Sequence, residues 1–288
     1  MLKKEKGTLY LVATPIGNLD DMTFRAVKIL QEVDLIAAED TRHTRKLLTH
    51  FDIHVSLTSY HEHNKLLKGP ELLAKLLDGI NIAVVSDAGL PGIADPGSHI
   101  AELAIENSIQ VVPVPGANAA LTALIASGLD TVRFSFIGFL PKKKNNRQEL
   151  LQRLKNNTET LIFYETPHRL KKILKELEQG LGEKRQIAVC RELTKKFEQF
   201  IRGSIKEMNE YFAQNEPRGE FVLVIEGNNE AGLVEETVEI APVAYVKQLM
   251  QDNISKKDAI KKAAKDLSMS RREIYNAVLK DEELNKSY

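Results

Sequence analysis

The chain has 288 residues, 43% of them apolar, with 40 basic and 40 acidic side chains. That length and composition allow two ordinary cores, and the cancelled charge excludes a polycation, so any nucleic-acid surface must be a local patch. The single cysteine, Cys190, excludes an internal disulfide and sits in the apolar run Ile187-Ala188-Val189-Cys190, where it reads as a buried structural thiol.

In chain order, the pattern predicts a strand over Thr8–Ala13 and a polar turn, Thr14-Pro15-Ile16-Gly17-Asn18. A helix over Asp21–Val33 follows, with Asp20 or Asp21 as its cap. Leu35–Ala38 is a strand ending abruptly in Glu39-Asp40, followed by a helix over Thr41–Thr49. A strand is expected over Val55–Ser59 and a helix over Pro70–Leu77 with proline in its first turn. Then come a strand at Ile82–Val85, a helix at Gly97–Glu106, a strand at Gln110–Val114, and a helix at Asn118–Ala126 closed by Gly128. Apolar strands alternating with helices argue for a parallel sheet covered on both faces. Polar turn residues gather where such sheets bind ligands, at the carboxyl ends of the strands.

The second half changes character. Strands are expected over Phe134–Leu140, Leu161–Tyr164, Ile187–Leu193, Gln199–Gly203 and Phe221–Ile225, with helices over Arg147–Asn156, His168–Gln179 and Ile205–Phe212. The Gln186–Gly203 pair is close enough for a hairpin, so this sheet should be mixed. The run Lys142-Lys143-Lys144-Asn145-Asn146 reads as a solvated loop or as a mobile basic loop that gathers phosphate. Gly227–Glu236 reads as a linker and Pro242–Tyr288 as a separate helical unit. The expected organisation is an α/β domain at 1–116, a second at 117–230 and a helical domain at 242–288. No apolar run approaches the length of about 18 residues that a span requires, and no signal peptide is read at the N-terminus, so a cytoplasmic location is expected.

The first turn lacks G-x-G-x-x-G, and no G-x-x-x-x-G-K-[ST] occurs, which excludes a nicotinamide or flavin fingerprint there and a P-loop. The densest glycine and proline stretch, Ser86 to Gly97, follows the fourth strand and carries Asp87 and Asp95. A backbone so constrained suits a ligand held by main-chain hydrogen bonds, and its carboxylates suit an ammonium or sulfonium charge; an elaborate strand-to-helix turn is the alternative. His50, His54, His61 and His63 form no ligand pattern with acids or cysteines, so no metal is expected. In the tail, helices over Asp258–Leu267 and Arg271–Leu279 flank Ser268-Met269-Ser270, with Ser270 and Glu273 spaced as a capping box. From Lys256 to Lys280 there are eight basic and three acidic residues. A helical hairpin with a solvated lysine face and a helix-turn-helix both fit that pattern.

Taken together, LVATPIGNLDD, AAEDTRHTRKLL, VSDAGLPGIADPG, VPGANAALTALIASGL, YETPHRL, CRELTK and RGEFVLVIEG resemble the tetrapyrrole (corrin/porphyrin) methylase superfamily. Within it they are similar to the ribosomal RNA small-subunit methyltransferase I subfamily, over essentially the whole chain. The resemblance implies two α/β domains with S-adenosylmethionine in the cleft between them, a homodimer, and 2′-O-methylation of a decoding-centre cytidine in 16S ribosomal RNA or the small ribosomal subunit. It implies cofactor contacts at Ile16 and Gly17, at Asp87, Ala88 and Gly89, and at Asp95, Pro96 and Ser98. Asn118, Ala119, Tyr164, Leu193, Gly219, Glu220 and Phe221 complete that set. This chain departs from the wider superfamily in its TPIGN first loop and in the extra DAGLPG of the fourth-strand loop.

A ribose hydroxyl is a poor nucleophile, so a general base should help by roughly 10²–10⁴-fold. Glu39, Asp40, His43, Asp87, Glu165 and His168 are candidates, with Asp40 and Asp87 favoured as residues at strand ends facing the cleft. Arg42, Arg45, Arg169 and Lys142, Lys143 and Lys144 suit phosphate, and Lys261, Lys262, Arg271 and Arg272 make the tail an RNA-contacting surface. Glu39–Arg42 and Glu165–Arg169 equally have the spacing of helix-start salt bridges. A methyltransferase for a small tetrapyrrole acceptor and a non-catalytic RNA-binding protein are the competing readings.

Overall fold

A computed structural model describes residues 5–228, 242–251, 254–266 and 269–284, arranged as two compact units divided after Asn228. In the first unit, β1 (Thr8–Val12), β2 (Leu35–Ala38), β3 (Leu57–Ser59), β4 (Ile82–Val85) and β5 (Gln110–Val114) form a parallel sheet in the order β3-β2-β4-β1-β5. Alternation along the strands divides two cores. Ile36, Ala38, Ala83 and Val85 pack with α1 (Phe24–Glu32) and α2 (Thr41–His50). Leu9, Ala37, Ile82 and Val84 face the other way, against α3 (Lys65–Leu77) and α4 (Gly97–Glu106). Because β1 and β4 are neighbours although far apart in sequence, the turns that leave them lie side by side, the arrangement that makes a ligand crevice.

The second sheet runs β6-β7-β10-β8-β9, from β6 (Phe134–Phe139), β7 (Thr160–Glu165), β8 (Gln186–Arg191), β9 (Gln199–Ser204) and β10 (Phe221–Ile225). β6 and β7 are parallel, the remaining pairs antiparallel, and β8–β9 is the expected hairpin. One face is covered by α6 (Lys144–Leu154), α7 (Pro167–Leu181) and α8 (Ile205–Gln214). The other is covered by α5 (Ala119–Ser127), the helix that directly follows the first sheet. Its Ala120, Ala123 and Leu124 pack on Ile162, Cys190 and Val224, and Ile16 from the β1 turn joins that cluster. Small residues on α5 thus let that helix lie close against the second sheet.

Several boundaries differ from expectation for local reasons. α1 starts at Phe24 because Thr23, not Asp20 or Asp21, caps it, accepting from the Ala26 N–H at 3.1 Å. Asp20 and Asp21 belong instead to a 3₁₀ turn, Leu19–Asp21, capped by Asn18. α3 begins five residues before Pro70, at Lys65. The break that proline makes falls on a solvent-facing turn, where the Leu66 carbonyl can meet water. α6 begins at Lys144, so the lysine run is not a free loop: Lys143 is the N-cap and Lys144 the first helical residue.

The second unit contains α9 (Pro242–Gln251), α10 (Lys256–Asp266) and α11 (Arg271–Leu284). Among the described residues it therefore has three helices rather than a hairpin, with Val246, Leu249, Ala263, Ile274 and Val278 in a core of its own. Ser270 and Glu273 form the expected capping box: Ser270 N–H donates to Glu273 Oε2 at 2.9 Å and Glu273 N–H to Ser270 Oγ at 3.2 Å. Most of the expected linker, and Leu267 and Ser268 of the tail, lie outside the described residues. Among the described residues no helix is long and apolar enough to cross a membrane.

Candidate functional site

The turns after β1 and β4 are laced together. Thr14 and Gly89 exchange backbone hydrogen bonds at 2.9 and 3.0 Å, and Thr14 Oγ1 donates to the Ser86 carbonyl at 3.2 Å. Gly89 has φ +83° and approaches Ile16 so closely that an added Cβ would touch its side chain. Asp95 Oδ1 accepts from the Gly92 and Gly97 N–H groups at 2.7 and 2.8 Å, which folds the Ser86–Gly97 stretch back on itself before α4 begins. On the opposite wall, the turn after β8 places Glu192 and Thr194 at positive φ, +50° and +66°. Glu192 holds it by accepting from Glu220 N–H and from Lys195 Nζ, each at 3.0 Å, and Lys195 bridges on to the Glu220 carboxylate at 3.0 Å.

Between these walls lies a cavity of about 360 Å³. Ile16, Ala119, Cys190, Leu193, Phe221 and Val222 make its apolar side. Glu39, Asp87, Asp95, Glu165 and Glu220 line it with carboxylates, and among the described residues no lysine or arginine does. Burial drives the Glu39 carboxyl above the ordinary carboxylate range, with the Asp87 and Asp95 charges adding to it against the Asp87 N–H. Burial also raises Asp95 and Glu165. Glu165 Oε1 accepts from Thr166 N–H at 2.7 Å, whereas its buried Oε2 has no hydrogen bond and sits 3.5 Å from the Arg169 guanidinium. Burial pushes the Cys190 thiol up to about 12, so it behaves as an inert wall residue.

The carboxylates at the end of β2 divide their work. Asp40 does not line the cavity. It caps α2, accepting from Arg42 N–H at 2.8 Å, and grips the Arg42 side chain in two contacts of 3.1 and 2.7 Å. Those hydrogen bonds hold its carboxyl far below the usual range, which makes it a weak proton acceptor. Asp87 does line the cavity: its Oδ1 accepts from Asp40 N–H at 3.0 Å, while its own N–H reaches Glu39 Oε2 at 3.3 Å. Glu39 is thus a pocket carboxylate, and Arg42 pairs with Asp40, not with Glu39.

Of the residues that the resemblance implies for a cofactor, Ile16, Asp87, Ala88, Gly89, Asp95, Asn118 and Ala119 line the cavity from the first half, and Tyr164, Leu193, Glu220 and Phe221 from the second. Gly17, Pro96, Ser98 and Gly219 do not. Gly17 instead lets the first turn pass Lys195, whose Cγ would lie 2.5 Å from an added Cβ, and Pro96 is the N-cap of α4. Phe139, Thr166 and Val222 also line the cavity, outside the expected set, because the second sheet brings them there. Among the candidate phosphate contacts, Arg42, Arg45 and Lys142–Lys144 are exposed. Arg169 is not free: it donates to the Leu140 carbonyl at 2.9 Å and pairs with Glu165, the expected helix-start bridge. In the second unit Lys261, Lys262, Arg271 and Arg272 are exposed.

The model of the tetrapyrrole (corrin/porphyrin) methylases matches residues 8–209, which cover the first sheet and all of the second except β10. The chain belongs to the tetrapyrrole methylase family. Among its relatives, a protein of Halalkalibacterium halodurans named ribosomal RNA small subunit methyltransferase I is 51% identical over 95% of this chain and 95% of its own. One of the same name from Bacillus subtilis is 50% identical over 96% and 95%. Uroporphyrin-III C-methyltransferase from Thermus thermophilus, solved in complex with S-adenosylhomocysteine, superposes with TM-score 0.55 at 17% identity over 79% of this chain and all of that one. At that identity the likeness extends to the tetrapyrrole methylase fold alone.

Proposed function

We propose that this tetrapyrrole methylase homologue is an S-adenosylmethionine-dependent methyltransferase acting on small-subunit ribosomal RNA, at the ribose 2′-oxygen of a decoding-centre cytidine of 16S RNA. The observation that carries the reading is the cavity between the sheets, combined with about half-identical relatives of that name along the whole chain. Its volume lies in the range of small-molecule sites. The donor set fits the methyl donor: an apolar wall for an adenine, main-chain groups of the locked Ser86–Gly89 turn, and the carboxylates of Glu39, Asp87 and Asp95 for sulfonium and ammonium charge, whereas Glu165 and Glu220 are already paired with Arg169 and Lys195. Bound there, S-adenosylmethionine would supply an electrophilic methyl group.

The protein's own work is to orient and to accept a proton. Holding hydroxyl and donor in line is worth up to about 7–11 kcal/mol. Glu39 is the best proton acceptor: its carboxylate faces the cavity, is raised by burial, and is oriented by the Asp87 N–H. Asp87 sets that geometry and is held in turn by the Asp40 N–H, so Asp40 supports the pair from outside the cavity. Lys142–Lys144 and the basic faces of α10 and α11 serve phosphate contact by charge and shape. A small tetrapyrrole acceptor would have no use for them. Ribosomes from cells lacking the protein test this: the target cytidine should lose its 2′-O-methyl group, scored by sensitivity to alkaline hydrolysis, and regain it with a plasmid copy. An unchanged methylation pattern contradicts the assignment.

A further inference from the structure

Phe139 ends β6 with its ring edge-on to Tyr164, centroids 5.6 Å apart, and it lines the cavity while 52% exposed. A single exposed aromatic residue is ordinary in itself. The connection that leaves it is built differently from an ordinary loop. The next three carbonyls are each taken by a guanidinium: Leu140 by Arg169 at 2.9 Å, Pro141 and Lys142 by Arg147 at 2.8 and 3.0 Å. Arg147 is itself buried, 2% exposed, and anchored by both carboxylate oxygens of Glu176. Arg169 is anchored by Glu165, whose carboxylate lines the cavity. Alongside and directly after the clamped carbonyls stand the exposed side chains of Lys142, Lys143 and Lys144. A loop that only connected β6 to α6 would not need two guanidinium groups to fix its course.

A half-exposed aromatic face at a cavity edge, followed at fixed geometry by three cations, matches the chemistry of single-stranded RNA: stacking for a base, charge for the phosphates beside it. We propose that Phe139–Lys144 is the wall of the cavity that receives the RNA, with the Phe139 ring stacking a nucleobase and Lys142–Lys144 contacting adjoining phosphates. Arg147 and Arg169 are positioning residues for that wall. Glu165 belongs to both the cavity and the clamp, so the two surfaces share one ion pair. This inference rests on the assignment of ribosomal RNA as the substrate.

The test measures the affinity of the full chain for small ribosomal subunits purified from cells lacking the protein, across a salt series, beside calorimetric binding of S-adenosylmethionine. Phe139→Ala should weaken subunit binding by about 5- to 150-fold, the worth of one stacked base, with donor affinity unchanged, and Phe139→Tyr should restore it. Replacing Lys142, Lys143 and Lys144 together by alanine should lower the slope of log affinity against log salt by about 2. Unchanged subunit binding in Phe139→Ala overturns the proposal. So does loss of donor binding in that variant, which would assign the ring to the methyl-donor wall. Wild-type protein that binds donor but no subunit overturns the ribosomal RNA assignment itself, and with it this one.

Discussion

Arg147→Met removes a buried guanidinium, close to volume-neutral, from beneath the β6–α6 connection. Its partner Glu176 has a side chain only 11% exposed, so the substitution strands a carboxylate away from water. Breaking a buried pair in this way costs about 3–5 kcal/mol, most of it the unpaired charge. The Pro141 and Lys142 carbonyls lose donors as well, at about 0.5–1.5 kcal/mol each. Arg147→Met/Glu176→Leu removes the stranded charge and should recover most of the first cost, leaving about 1–3 kcal/mol for the two carbonyls. Urea denaturation followed by circular dichroism reads both. Hydrogen bonds from Arg147 hold the Glu176 carboxyl below its ordinary value. A depressed carboxylate contributes stability above its unfolded-state value and loses it as pH falls through the folded one. The gap between wild type and Arg147→Met should therefore narrow as pH drops below the ordinary carboxylate range. A single variant that costs under about 1 kcal/mol, or a double variant no better than the single, would show that Arg147 shields no buried charge on Glu176.

Glu39→Gln should lower methyl transfer by about 10²–10⁴-fold with S-adenosylmethionine still bound, and should abolish a rise of activity with pH centred above the ordinary glutamate range. Asp40→Asn, which preserves the α2 cap, should leave activity largely intact; the reverse ranking of these two variants in a pH–rate series would return the base to Asp40. Gly89→Ala forces a left-handed backbone on a residue with a Cβ, costing about 1–2 kcal/mol and weakening donor binding in calorimetry. Ser270→Ala should speed amide exchange in α11 by about fivefold without changing exchange in the two sheets, as read by mass spectrometry.

Much of this protein is legible in its sequence, and the exceptions have physical causes. β2, β4, β5, β10 and α4 fall where the apolar runs and turn residues put them: β2, β4 and β10 are continuous apolar segments, and glycine, proline or asparagine stands close beside β4, β5 and β10. The start of α1 is not legible, because Asp20, Asp21 and Thr23 compete within four residues for one cap and geometry alone selects Thr23. Nor is α9 legible as a separate element, because its partners in the second unit's core come from α10 and α11 rather than from neighbours in the chain. In the site, the glycine-rich turns stand out, as backbone-shaped loops do. Asp40 and Glu39 cannot be told apart from sequence, since both sit at the end of β2 and only the hydrogen bonds of Arg42 and Asp87 separate them. Arg147, a buried cation beside the site, looks like one more cation in a basic run; its burial depends on Glu176, which no local spacing indicates.

Methyl transfer from S-adenosylmethionine to a cytidine ribose can be read in a radiolabelled transfer assay. Purified protein, tritiated methyl donor and small ribosomal subunits from cells lacking the protein would be incubated together, then digested to nucleosides and separated. Label should appear in 2′-O-methylcytidine. Donor that binds the cavity without labelling the subunit, or label on a base instead of the ribose, would contradict it.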